Sequence, residues 1–197
     1  MSTDGVDKSR RRFLVAATSA VGAVGAAGVA VPFIGSMWPS ARTAAAGAPV
    51  EADFSKLEPG AMMTVEYRGK PIWLVRRTEK TLKELPELNS QLRDPDSEAP
   101  QQPGYAQNPN RSIKPELLVL TGICTHLGCS PSYRPEIAPA DLGQAWRGGF
   151  FCPCHGSRFD LAGRVYSGVP APTNLEVPKH VYLSDTRLLI GEDGGAA

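Results

Sequence analysis

An excess of charge of either sign is missing from this sequence. Its 21 lysines and arginines meet 20 aspartates and glutamates, so the formal charge at pH 7 is +1. A chain that grips nucleic acid through its phosphates carries a basic excess, so no nucleic-acid partner is expected. Cysteine is scarce too: there are four, all between Cys124 and Cys154. A small secreted scaffold stapled by disulfides would scatter them along the chain; clustering points instead to one local site. No Cys-x-x-Cys occurs, which argues against a redox dithiol. Long amphipathic helical patterns are few, and no internal repeat is found. Gly and Pro are plentiful in the C-terminal part, which favours an all-β, loop-rich domain. The length of 197 residues suits one such domain plus an appendage.

The appendage is N-terminal. Ser9-Arg10-Arg11-Arg12-Phe13-Leu14 places a twin arginine directly before an apolar stretch. It resembles the signal read by the bacterial twin-arginine export system, with Arg10 and Arg11 as the signal pair. That pathway carries proteins already folded. No charge occurs between Arg12 and Arg42. As a helix, residues 13–38 would span roughly 37 Å, enough for a bilayer core of about 30 Å. A signal-peptide core is usually only about 7–15 residues, so the length favours a retained anchor. Cleavage after the small residues Ala44-Ala45-Ala46 is the alternative. Lys8 and Arg10 to Arg12 keep their side cytoplasmic, which puts the remainder outside. Trp38 suits an interface, and Gly22, Gly25 and Gly28 are a weak signal for helix packing. The expected organisation is a cytoplasmic N-terminus over residues 1–12, a transmembrane anchor over 13–38, a flexible hinge over 39–50 and a periplasmic head over 51–197. The hinge, PSARTAAAGAPV, is small, alanine-rich and almost uncharged.

Within the head, Met62–Tyr67 and Pro71–Arg77 read as a hairpin around Arg68-Gly69-Lys70. Thr78–Leu85 reads as a Thr-capped helix closed by Pro86. Residues 86–115 carry six prolines and read as an irregular excursion rather than core. Glu116–Gly122 reads as a buried strand, and Gly149–Phe151 leads into the second cysteine motif. Arg158–Asp160 and Gly163–Tyr166 suggest a short hairpin, with further strands at Leu175–Val177, Val181–Ser184 and Arg187–Ile190. The sum is a mainly β fold, a small antiparallel β-sandwich with loops at one end. Arg76-Arg77 reads as a solvated strand end, Trp73 and Trp146 as packing residues, and His180 as surface or structural.

The chemistry lies in two motifs, Cys124-Thr125-His126-Leu127-Gly128-Cys129 and Cys152-Pro153-Cys154-His155-Gly156-Ser157. Each offers two cysteines and one histidine, ligands suited to iron or zinc. Gly128 and Gly156 permit tight turns that aim amide N–H groups at sulfur. Six candidate ligands are too many for one tetrahedral metal. A Cys₂His₂ zinc site from Cys124, His126, Cys152 and His155 is an alternative, although Cys-x-His is an unusual finger spacing and two cysteines would be left over.

The two motifs resemble the boxes of the Rieske iron–sulfur proteins, and the resemblance covers nearly the whole chain. It implies a Rieske-type β-sandwich with a small cluster-binding subdomain and a [2Fe–2S] cluster. By that resemblance Cys124 and Cys152 ligate one iron, His126 and His155 the other, and Cys129 and Cys154 form a disulfide. It also makes Ser157 a hydrogen-bond donor to sulfide. Phe159 stands where relatives commonly have a tyrosine that donates to a ligand sulfur. Gly168-Val169-Pro170-Ala171-Pro172 corresponds to a proline loop that shields the cluster. Histidine ligation implies a potential of about −150 to +300 mV, against about −400 mV for plant-type ferredoxins.

Among Rieske proteins, the chain looks closest to the bacterial quinol–cytochrome c reductase subunits. That likeness implies a redox subunit, inactive alone, within a dimeric cytochrome bc complex in the bacterial inner membrane. Its partners would be cytochrome b, a c-type cytochrome and ubiquinol, with Leu127 and His155 at the quinol contact. Dioxygenase-type relatives usually lack Cys129 and Cys154. The alternative is the small Rieske subunit of a periplasmic arsenite-oxidase-like molybdenum enzyme. The 22 residues between Cys129 and Cys152 exceed the mitochondrial spacing, and Pro135–Trp146 reads as a surface excursion.

Overall fold

The computed structural model describes residues 5 and 7–195; residues 1–4, 6 and 196–197, at the ends of the expected N-terminal segment and head, lie outside the described residues. The chain divides into two compact units, Met1–Ala45 and Ala46–Ala197.

The first unit is built on helix α1, Lys8–Ser36, of 29 residues. Asp7 caps it, accepting from the amides of Ser9 and Arg10 at 2.9 and 3.2 Å. The carboxylate therefore satisfies amides that a helix start leaves without partners. None of its residues is buried, and its apolar stretch has a mean hydropathy of 1.9. By length and composition α1 can cross a membrane. A short helix, α2, covers Ala41–Ala46. Half of the expected 39–50 hinge is thus helical, as its alanines favour.

Among its described residues the second unit holds nine strands in three antiparallel sheets of three. The first joins β1 (Val50–Asp53), β9 (Arg187–Ile190) and β8 (His180–Tyr182). The second joins β2 (Met62–Tyr67), β3 (Lys70–Arg76) and β4 (Leu117–Thr121). The third joins β5 (Ser132–Arg134), β6 (Gly149–Phe151) and β7 (Arg158–Phe159). The β2–β3 hairpin closes through Arg68 and Gly69, both at positive φ (51° and 72°), the turn geometry that matches strand twist.

Side chains alternate across a strand, and the second sheet uses both of its faces. Ile72 and Leu74 of β3, with Leu117 and Val119 of β4, pack against Ala52, Leu188 and Ile190 of the first sheet. The intervening Trp73, Val75, Leu118 and Leu120 pack against Phe150 and Phe159 of the third. Trp73 stacks on Phe150, with ring centroids 5.0 Å apart. The central sheet is therefore buried on both sides, which is why β4 is apolar at consecutive positions. It forms a floor under the third sheet; the first cysteine motif joins β4 to β5, and the second joins β6 to β7.

Several sequence expectations are corrected. The helix that Thr78 caps (α3, Glu79–Glu84) ends at Leu85, before Pro86, as expected, but the chain continues into a 3₁₀ turn, Leu85–Gln91, where the missing N–H of Pro86 is harmless. The proline-rich excursion supplies core: Leu88, Leu92, Ala106 and Arg111 are buried. Leu175 and Val177 are buried, but Leu175–Val177 is not a strand. Its backbone bonds reach three separate segments, through Leu175 N–H to Gly163 O, Thr121 N–H to Glu176 O and Val177 N–H to Gln101 O. Arg77 is not solvated. It is 4 % exposed and donates to the carbonyls of Pro115, Asn110 and Leu161 and to Ser112 Oγ. The Pro135–Trp146 excursion is mostly exposed yet pinned, because Leu142 and Trp146 are buried and the Trp146 indole N–H donates to Arg134 O at 3.1 Å.

Candidate cluster-binding site

Each cysteine motif is a loop closed by its own backbone. In the first, Cys124 N–H bonds Cys129 O at 2.7 Å and Gly128 N–H bonds Cys124 O at 3.0 Å. In the second, Cys152 N–H bonds Ser157 O at 2.8 Å and Gly156 N–H bonds Cys152 O at 2.9 Å. The register is the same in both: first cysteine to the residue five on, glycine back to the first cysteine. Gly128 and Gly156 occupy equivalent positions at φ of 82° and 76°, a conformation that side chains resist. The sequence thus writes one loop twice.

The loops meet with their ligand types segregated. Cys124 and Cys152 are buried and free, on the floor side. Cys129 and Cys154 are joined in a disulfide, across a Cα separation of 6.7 Å. The His126 and His155 rings stand 4.8 Å apart and nearly perpendicular, His126 half-buried and His155 exposed. Leu127 beside them is 71 % exposed. Burial pushes the Cys124 thiol up; the His126 amide lowers it, the adjacent Cys152 raises it, and the Ser157 hydroxyl lowers it. Cys152 lies within 4.8 Å of both disulfide sulfurs, but a bonded pair offers no thiolate, so that trio is not itself a metal site.

The proline loop is tied down at successive points. Ser167 N–H donates to Gln91 O, the Arg93 guanidinium to Val169 O at 3.1 Å, and Ala171 N–H to the fully buried Ser157 Oγ at 3.1 Å. Thr125 Oγ1 donates to Thr173 O at 2.7 Å, joining the first motif to the end of the loop. Gly168 turns the chain at φ 74°, and Pro170 and Pro172 are exposed on either side of buried Ala171. Phe159 is fully buried opposite Phe150 on β6, in the same core as Cys124 and Cys152. The expected site residues of the head thus gather in one place. Thr125, Arg93 and Asn174, whose side chain accepts from Val165 N–H at 2.8 Å, were not singled out from sequence; of these, only Thr125 carries a local signal, a hydroxyl inside a ligand loop. His180 is buried and structural, its Nδ1 2.8 Å from Pro178 O. Arg10 and Arg11 belong to the first turn of α1, in the other unit.

A [2Fe–2S] cluster requires two thiolates and, in the Rieske form, two imidazoles. Two free buried thiols, two neighbouring imidazoles and two cysteines tied off in a disulfide fit that requirement. Residues 49–180 match the Rieske [2Fe-2S] domain, and residues 1–40 match a model described as "Ubiquitinol-cytochrome C reductase Fe-S subunit TAT signal". The chain is 67 % identical, over all of its length and 95 % of the relative's, to a ubiquinol–cytochrome c reductase iron–sulfur subunit of Allochromatium vinosum. It is 43 % identical to that of Blastochloris viridis over 96 % of this chain and 97 % of the relative. A chain of a hyperthermophilic respiratory Complex III aligns at 26 % identity and a TM-score of 0.48, covering 89 % of this chain and 99 % of that one. The chain belongs to the Rieske [2Fe–2S] proteins, and among them to the iron–sulfur subunits of ubiquinol–cytochrome c reductase.

Proposed function

We propose that this chain carries electrons from ubiquinol to a c-type cytochrome within a membrane-bound cytochrome bc complex, and that it is inactive outside that complex. The observation that carries the reading is the segregation of ligands: thiols on the buried floor, with His155 and Leu127 presented outward at the tip. Cys124 and Cys152 would hold one iron, His126 and His155 the other. When bound, the cluster supplies one-electron redox chemistry at a potential raised by neutral histidine ligands.

The residues around it do the rest. His155, exposed, accepts a hydrogen bond from the quinol hydroxyl on its ring nitrogen not committed to iron. It would take one proton there, and the cluster, when bound, would be the acceptor for the accompanying electron. Leu127 packs at the rim of the quinol pocket on cytochrome b and excludes water. Ser157 directs its hydroxyl at sulfur, while the tethered proline loop, residues 168–172, shields the buried side. The N-terminal unit anchors the chain in the bacterial inner membrane after twin-arginine export, and the head works in the periplasm. Residues 39–50 let the head move between quinol oxidation and delivery to the cytochrome. Stiffening them should slow turnover of the assembled dimeric complex and leave the cluster spectrum unchanged.

The test is low-temperature electron paramagnetic resonance on ascorbate-reduced membranes, with and without a quinol-site inhibitor. A Rieske signal that shifts with inhibitor is expected. A Rieske signal indifferent to inhibitor would favour the small subunit of an arsenite-oxidase-like enzyme, and an iron-free protein would reopen zinc.

A further inference from the structure

Directly after the second ligand loop, residues 160–164 form a tight turn in which Asp160 N–H bonds Arg164 O and Gly163 N–H bonds Asp160 O, both at 2.9 Å. Three buried guanidiniums converge on this turn from different parts of the chain. Arg77, from the end of β3, reaches Leu161 O at 3.1 Å. Arg111, from the proline-rich excursion, reaches Ala162 O and Gly163 O at 3.1 and 3.2 Å. Arg164, within the turn, bonds the Asp160 carboxylate at 2.8 Å. Their exposures are 4 %, 0 % and 1 %, and Asp160 is fully buried. Three cations thus share one buried anion. Glu116 is exposed and Asp94 half-exposed, so water screens what they offer. The Arg111 Nε has no hydrogen-bond partner.

Such an arrangement is costly where only mechanical support is needed, because each desolvated charge is penalised unless paired. Burial does push Arg77 and Arg111 down, each to about 10, which still leaves both fully charged at neutral pH. The turn also sits close to the ligands. Leu161 and Ala162 share the core of Cys124 and Cys152. Leu161 lies four residues after Ser157, which closes the second ligand loop by accepting from Cys152 N–H, and four residues span at most about 14 Å.

We infer that Arg77, Arg111 and Arg164, offset chiefly by Asp160, form a fixed cationic cradle near the ligand loops that favours the reduced cluster and raises its potential. These are positioning residues in the electrostatic sense; none is expected to touch iron, sulfide or quinol. The inference rests on the ligand assignment proposed above. Reduction adds a negative charge to the site, and one cation within about 17 Å in a medium of effective dielectric near 20 changes the reduced-to-oxidised ratio roughly fivefold, or about 40 mV for one electron.

The experiment is an equilibrium redox titration of the membrane-bound subunit at pH 6, followed by the cluster's own spectrum, on wild type, Arg77→Lys and Arg77→Gln. Lysine keeps the charge and loses the planar bonds; glutamine loses the charge. The expected result is a potential near wild type for lysine and a roughly fivefold loss of reduced form at fixed ambient potential for glutamine. That difference should persist at high salt, because buried charges are little screened. Asp160→Asn, which removes the lone anion, should shift the potential the opposite way. A merely structural role would lower thermal stability in all three variants without reversing sign between Arg77→Gln and Asp160→Asn. Equal potentials for lysine and glutamine, or the same sign of shift at both sites, overturn the inference. If Arg77→Gln fails to hold the cluster, Arg111→Lys against Arg111→Gln gives the same comparison. A wild-type protein without a Rieske spectrum would instead sink the ligand assignment.

Discussion

Ser157→Ala separates two duties that one hydroxyl performs. Its oxygen accepts the Ala171 N–H at 3.1 Å, and its proton is expected to serve a sulfur of the bound cluster, as the family resemblance implies. The side chain is fully buried, so no water replaces it. Removing the acceptor strands the Ala171 amide, at a cost of about 1–3 kcal/mol. For a head of this size that lowers the melting temperature by roughly 3–9 °C. Removing the donor acts on the potential. A hydrogen bond to a more negative sulfur is worth about 1 kcal/mol more than one to a less negative sulfur. Its loss disfavours the reduced state about fivefold, a fall of about 40 mV. Both quantities are read on one preparation, by thermal melting and by redox titration. Ser157→Thr keeps the hydroxyl and should retain most of the potential even where the extra methyl costs stability. A Ser157→Ala protein that melts lower but keeps its potential would refute the reasoning: the hydroxyl would then serve only the proline loop.

Phe159→Tyr should act in the other direction, raising the potential by placing a hydroxyl within the core of the two ligand cysteines; a titration showing no change or a fall contradicts this. The double variant Cys129→Ser/Cys154→Ser opens a covalent loop with a sequence separation of 25. Loop-closure entropy puts the loss at about 3.5 kcal/mol, to be read by denaturant unfolding of the apo head, and the iron-to-protein ratio should fall with it. An unaltered unfolding free energy would mean the loops are held by their backbone bonds alone. His180 is depressed from 6.5 by burial, with its bond to Pro178 O acting the other way. Below about 6.5 the unfolded chain takes up a proton that the folded chain refuses, so stability present above that value is lost as the pH falls. Melting temperature should therefore drop more between pH 7 and pH 5 in the wild type than in His180→Gln, and equal drops would place the acid sensitivity elsewhere.

The parts of the fold legible in the sequence are those where local pattern and tertiary role agree. The β2–β3 hairpin announces itself because Arg68-Gly69 suits only a tight turn between apolar strands. The ligand loops do so because Cys-x-His and Cys-x-Cys-His have few other uses. The illegible parts depend on partners distant along the chain. Nothing near Arg77 distinguishes a solvated strand end from a buried donor, since its acceptors lie 33 to 84 residues away. Leu175–Val177 has the composition of a strand, but its amides and carbonyls are claimed one at a time by three segments. β1 and β5, at four and three residues, are too short to show a period. The prolines of residues 86–115 signal irregular backbone correctly, yet irregular backbone can still be core once arginine side chains satisfy its carbonyls.

That last point joins the fold to the site. A surface tip presenting two histidines must keep them fixed relative to two thiols while an outside partner presses on it. Regular secondary structure supplies little of that constraint here, since β6 and β7 contribute only three and two residues. The constraint comes instead from side chains bonded to backbone. Thr125 and Ser157 clamp the proline loop to the two motifs. Arg77 and Arg111 clamp the turn that follows the second motif. A loop held this way resists displacement without a ladder, because its tethers come from different segments of the chain and no single opening releases them all. Loss of one tether should therefore loosen the tip locally before it unfolds the head. In native-state hydrogen exchange, Thr125→Val should speed exchange at Ala171 and Leu175 while leaving the β3 and β4 amides at the global rate. Equal acceleration in both regions would show instead that tip and floor open together.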